Sequence, residues 1–146
     1  SEPYDETRRE RRGLWISVYI TPLYAAALAL LFIALSVRTL RLRRTLRVDL
    51  GDQGEPRLLR AMRVHANFAE YAPLTLVLIL MLELQSASAG PVHFLSACLV
   101  VGRISHAFGV SREPEDYRFR VFGMTMTFTA LGGAAVRLLL VPVFPP

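Results

Sequence analysis

Arg63, Asn67 and Glu70 stand at i, i+4 and i+7 in the string RVHANFAEYAPL (63–74), so on an α-helix they share one face. A guanidinium, an amide and a carboxylate on one stripe can hold opposite ends of a small zwitterion. Two other strings repeat the pattern. VGRISHAFG places Arg103 and His106 at i and i+3, and RVFGMTMT places Arg120, Gly123 and Thr127 on one face. Other chemistries are excluded: the chain has no Ser–His–Asp arrangement, no zinc-ligand spacing and hence no expected metal, and no dinucleotide fingerprint. GDQG (51–54) lacks the lysine and spacing of a phosphate loop and reads as a turn. Cys98, the one cysteine, rules out an internal disulfide or a CxxC site and reads as an inert buried thiol.

The elements that must position these groups are apolar. Of 146 residues 53% are hydrophobic, more than is usual in a water-soluble domain. Four segments, 14–37, 64–84, 92–110 and 119–141, are long enough, or nearly so, to cross about 30 Å of hydrocarbon. The expectation is a single domain, an all-α membrane protein built as a four-transmembrane-helix bundle. The first segment exceeds the apolar core of a secretory signal, and no small-residue cleavage pattern accompanies it, so it reads as a retained span. All seventeen basic residues are arginine, giving a net charge of +5. They cluster beside the apolar runs, which indicates a membrane boundary and no nucleic-acid partner.

The arginines also orient the bundle. The loops 38–63 and 111–120 hold eleven of them against four in RRERR near the N-terminus, which four acids accompany. Counting basic residues places both long loops in the cytoplasm and both termini outside, with Trp15 and Tyr19 at the outer interface. Within the first loop LGDQGEP (50–56) is a turn cluster. Gly51 and Gly54 give it backbone freedom, and Pro56 heads a helix that starts about two turns before the second span.

Depth decides which buried polar groups can meet. Glu70 lies about 10 Å below the cytoplasmic edge at helical rise, and Arg103, on a span running the other way, about 12 Å. Opposite charges at matching depth lead to the expectation of a structural ion pair between Glu70 and Arg103. Two readings of the polar set stay open: glue between membrane helices and a ligand site. Arg63, Asn67, His106 and Arg120 around the same cytoplasmic end carry more positive charge than one glutamate needs, which suits a small polyanion bearing an amine. His65 and His93 read as interfacial, Glu83 and Arg137 as an outer pair or as snorkelling groups, and Gly132, Gly133 and Ala134 as a small-residue contact.

Arg63, Asn67, Glu70, Tyr71, Pro73 and Leu74 form an RxxxNxxEYxPL string at the head of the second span. With VRTLRLRR closing the first span, VGRxxH in the third and Arg120 heading the fourth, the chain resembles the MAPEG family, membrane-associated proteins in eicosanoid and glutathione metabolism. That family includes microsomal glutathione transferases and leukotriene C4 synthase, and the run LGDQGEPRLLRAMRVHANFAEY is similar to its bacterial members. The resemblance implies a homotrimer in a bacterial inner membrane, where the termini that the arginines place outside are periplasmic, with glutathione as co-substrate bound between subunits near the cytoplasmic face. By position it assigns Arg41, Arg63, Asn67, Glu70 and His106 to the tripeptide and Arg103 to bracing the site; Tyr117 and Arg118 are nearby groups expected to assist. Arg120 matches the thiolate-stabilising, catalytic arginine. The partners implied are the bilayer, a lipophilic small molecule and further copies of the chain.

There are two departures. Val110 stands where several catalytic members have a tyrosine, and Val121 where prostaglandin E synthase has a serine. The resemblance therefore leaves two functions in view: a glutathione transferase or peroxidase acting on lipophilic electrophiles, and a non-enzymatic lipid-binding or scaffold member. A small transporter is the third reading, disfavoured because four spans show no inverted repeat or discontinuous helix pair.

Overall fold

The computed structural model describes residues 18–85 and 87–140. They form four helices, α1 (Ile20–Leu46), α2 (Pro56–Leu84), α3 (Ala89–Ser111) and α4 (Tyr117–Leu140). Each is long and apolar enough to cross a membrane. Successive helices run antiparallel: the start of α1 meets the end of α2 through Glu83, and the end of α3 lies against the start of α4 at Gly109.

The helix ends follow from local chemistry. Pro56 occupies the first turn of α2, where its missing N–H leaves nothing unsatisfied. Gly51 and Gly54 adopt positive φ values of 68° and 80°, as a tight turn demands. α1 continues beyond the expected span because arginine and leucine are good helix formers, and it stops at Arg47 in the left-handed region. There Val48 N–H donates to the Arg43 carbonyl at 3.0 Å and Arg47 N–H to that of Arg44 at 3.3 Å, a Schellman-type stop with Val48 tucked into the protein.

At its other end α1 starts at Ile20 rather than Leu14, and Trp15 lies outside the described residues. Glu83 of α2 accepts from the Tyr19 and Ile20 amides through Oε1 at 2.8 and 2.7 Å, and from Thr21 through Oε2 at 2.7 Å. A carboxylate at a helix N-terminus satisfies orphan N–H groups and the positive end of the dipole together. Of the two readings of Glu83 and Arg137, pairing or snorkelling, neither describes Glu83, which makes a helix-start contact for which no side-chain spacing gives a signal.

α2 and α3 pack against each other and against both flanking helices, whereas α1 and α4 do not approach each other. Leu28, Phe68, Ile79, Leu82, Val92, Leu99 and Ala130 fill the interior. The outside is equally apolar: Leu30 is 70% exposed, Phe94 60% and Leu139 73%. Helices apolar all round suit a hydrocarbon surrounding. Lipid tails are as apolar as leucine, so helix association there depends on close contact and buried hydrogen bonds.

The closest contact is between α3 and α4. A Cβ on Gly123 would lie 2.5 Å from the His106 backbone nitrogen and 2.7 Å from the Gly102 carbonyl oxygen. One on Gly102 would lie 2.7 Å from Thr127 Oγ1, and one on Gly109 2.7 Å from the Arg120 nitrogen. The small-residue contact expected at 132–134 is looser: Gly132 faces open space, Gly133 is exposed with its Cα hydrogen toward Leu95, and Ala134 alone is buried.

Two outcomes follow. Gly123→Ala should cost about 1–3 kcal/mol in detergent unfolding, because two backbones must move apart, whereas Gly132→Ala should be neutral or slightly stabilising. Glu83→Ala should speed hydrogen exchange at Tyr19–Thr21 while leaving the far end of α1 unchanged.

Candidate functional site

Arg103 is 1% exposed and reaches from α3 to both neighbours. Nη1 donates to Asn67 Oδ1 at 2.8 Å and to the Asn67 carbonyl at 3.3 Å. Nε donates to Thr127 Oγ1 at 3.1 Å, and that hydroxyl donates in turn to the Gly123 carbonyl at 2.9 Å. Nη2 points to Met124 Sδ at 3.4 Å, and the guanidinium lies 5.9 Å from the Tyr71 ring centroid.

The expected Glu70–Arg103 ion pair is absent among the described residues. Glu70 is three residues beyond Asn67, which at 3.6 residues per turn rotates it by about 60° from Asn67's direction. It is exposed on the outer side of α2. Matching depth was the right criterion for distance along the bundle but not for rotation about the helix axis. Arg103 is therefore held by neutral dipoles, and Glu70 remains available.

Glu70 opens onto a cleft of about 510 Å³ between α2, the end of α3 and the start of α4. Arg60, Arg63, Asn67 and Glu70 line it from α2, His106 and Val110 from α3, and Glu115 and Arg120 from the turn and first residues of α4. Residues 60, 63, 67 and 70 are one stripe of α2, which explains their convergence. His106 is buried at the cleft wall, and Val110, the position lacking the resemblance's tyrosine, presents an apolar side. Arg120 Nη1 bonds Glu115 Oε1 at 2.8 Å. Arg60 donates to the Arg112 carbonyl at 2.9 Å and lies 3.6 Å from Glu113.

The structure thus brings together Arg63, Asn67, Glu70, His106 and Arg120. It leaves out Arg41, which lines a groove on the other flank, and Tyr117 and Arg118, which lie outside the cleft. Asp116 Oδ1 accepts from the Arg118 backbone N–H at 3.1 Å, and Tyr117 is exposed beside Arg120. Val121 is 61% exposed and outside the lining. Sequence reasoning missed Arg60 and Glu115. The i−3 spacing of Arg60 from Arg63 was a usable signal; the reach of Glu115 across a turn to Arg120 was not.

Three guanidinium groups and two carboxylates in one cleft leave a positive excess with acids of fixed position. Such a site can bind a small anion carrying its own cation. A double-mutant cycle should give more than about 1 kcal/mol of coupling between Asn67→Ala and Arg103→Met, and close to none between Glu70→Ala and Arg103→Met.

Comparison with known proteins places the chain in a family. The chain is 38% identical over 112 residues to "Inner membrane protein YecN" of Escherichia coli K12, a match spanning 77% of this chain and 84% of the relative. The protein of the same name in Escherichia coli O6:H1 gives the same figures. No solved structure gives a significant match. The model of the MAPEG family matches residues 21–140, all four helices, and the chain belongs to that family.

Proposed function

We propose that this protein binds glutathione in the cleft between α2, α3 and α4 and joins it through its sulfur to lipophilic electrophiles. The observation that carries the reading is the convergence of Arg63, Glu70 and Arg120 on one cleft of about 510 Å³, a size suited to a small molecule. Glutathione carries two carboxylates, one ammonium and one thiol. Arg63 offers a fork to a carboxylate, and Glu70, unpaired within the described chain, faces the ammonium. Asn67 Oδ1 is occupied by Arg103, so its amide N–H groups remain free to donate into the cleft. Arg103 is thereby a positioning residue.

Arg120 supplies the chemistry. A thiol ionises near pH 8.5, and an adjacent cation favours the thiolate. The sulfur lone pair forms a C–S bond with an electrophilic carbon, the leaving group departs with its electron pair, and the thiol proton passes to water. Glu115 pairs with Arg120, so an incoming thiolate shares or displaces that carboxylate. The electrophile enters from the bilayer, to which α4 presents exposed Val121 and Phe122.

The protein is read as an inner-membrane homotrimer with its two long loops in the cytoplasm. The E. coli relative's name supports the membrane, and the arginine distribution supports the orientation. Arg41 is too far round the bundle to serve this cleft from the same subunit, so a part for it at the tripeptide requires a neighbouring copy. A non-enzymatic lipid-binding or scaffold role is the second reading. The Glu115–Arg120 pair and Val110 favour it, since they leave the cleft with a neutralised cation and no hydroxyl beside His106.

Calorimetric titration with glutathione, followed by a conjugation assay, separates these readings. The transferase reading expects heat at millimolar tripeptide, and loss of conjugation with retained binding in Arg120→Ala. Glu115→Gln should raise kcat/KM severalfold, because the arginine's full charge then faces the sulfur. Binding without turnover in every variant would favour the scaffold, and no heat would remove glutathione altogether.

A further inference from the structure

A second groove, of about 830 Å³, lies on the opposite flank from the glutathione cleft, between α1, the start of α2 and the end of α3. One stripe of α1 forms its floor: Leu30, Ala34, Val37, Arg38 and Arg41, at i, i+4, i+7, i+8 and i+11. The stripe changes character along its length. Toward the middle of the helix it is apolar; at the loop-bearing end it meets Arg57 and Arg60 of α2.

The change falls at the membrane boundary. Ile20–Val37 is an uncharged run of about 27 Å at helical rise, close to the hydrocarbon thickness, and Arg38 is its first charge. Leu30 lies about 12 Å deeper along the same stripe. Arg38 donates to Ser111 Oγ, which fixes the guanidinium over the groove. Arg60 is held by the Arg112 carbonyl and Glu113. Arg41 and Arg57 have no ion-pair partner among the described residues. Four guanidinium groups thus face one carboxylate in the groove, at the depth where lipid phosphates lie.

We propose that this groove is a binding site for one anionic phospholipid, with its phosphate on Arg38 and Arg57 and an acyl chain along Leu30, Ala34 and Val37. Basic pockets between membrane helices recognise anionic head groups by this charge complementarity. A free phosphate would use the guanidinium end and leave the apolar half of the groove without a role. The inference is independent of the glutathione cleft, because Arg38 and Arg57, which take the phosphate, line only this groove and have no part at the tripeptide.

Native mass spectrometry of the intact protein in neutral detergent tests it, with dioleoyl phosphatidylglycerol and dioleoyl phosphatidylcholine as probes. One phosphatidylglycerol per chain should be retained in preference to phosphatidylcholine. Its affinity should fall by about tenfold or more in Arg38→Ala/Arg57→Ala, as expected for a lost charged contact. Arg57→Glu changes an exposed side chain that makes no structural bond and should weaken retention in the same way. Arg44→Ala, which removes a charge at the same end of α1 but outside the groove, should leave retention unchanged.

Equal retention of the two lipids, or unaltered phosphatidylglycerol affinity in Arg57→Glu, would overturn the proposal. So would displacement of the lipid by millimolar inorganic phosphate, which would identify a plain anion site. A change of oligomeric mass in Arg57→Glu without any change in lipid retention would assign the groove to a second copy instead, and would equally overturn it.

Discussion

A guanidinium buried among membrane helices, with no carboxylate of the described residues against it, is the interaction on which the arrangement depends. Arg103 donates to the side chain and backbone of Asn67 on α2 and to Thr127 on α4, so one side chain fixes the relation of three helices. In hydrocarbon the apolar faces gain little by meeting, and an unsatisfied donor there has no water to turn to. Satisfying these donors requires α3 and α4 to lie close, which Gly102 and Gly123 permit. Close contact and hydrogen bonding thus support each other at the same depth.

That arrangement has a chemical consequence. Holding Asn67 by its oxygen turns the amide nitrogen outward, and it leaves Glu70 one turn on without an internal partner. The residues that hold the bundle and the residues that face the cleft are therefore neighbours on one helix with separate tasks. Because α1 and α4 stand on opposite flanks of the α2–α3 pair, the same bundle has two grooves at its loop-bearing end. One mixes arginines with acids. The other is almost wholly basic and runs into apolar surface.

Much of this was legible in the chain. Apolar length marked the four spans, Pro56 and the glycine turn marked the entry to α2, and i, i+4, i+7 spacing grouped Arg63, Asn67 and Glu70. What the sequence did not show was how each helix is rotated and how far each side chain reaches. Glu70 and Arg103 matched in charge and depth, yet the arginine reaches Asn67 instead. Arg41 lies at the same end of the bundle but lines the groove along α1, a matter of rotation that spacing alone does not show. Glu83 satisfies backbone groups of α1, and backbone donors leave no trace in side-chain pattern.

A structure of the protein determined with saturating millimolar glutathione tests the central claim most directly. The tripeptide is expected in the cleft of α2, α3 and α4, its carboxylate on Arg63, its ammonium on Glu70 and its sulfur within reach of Arg120. An empty cleft, or glutathione bound elsewhere with these three side chains unchanged, would contradict it.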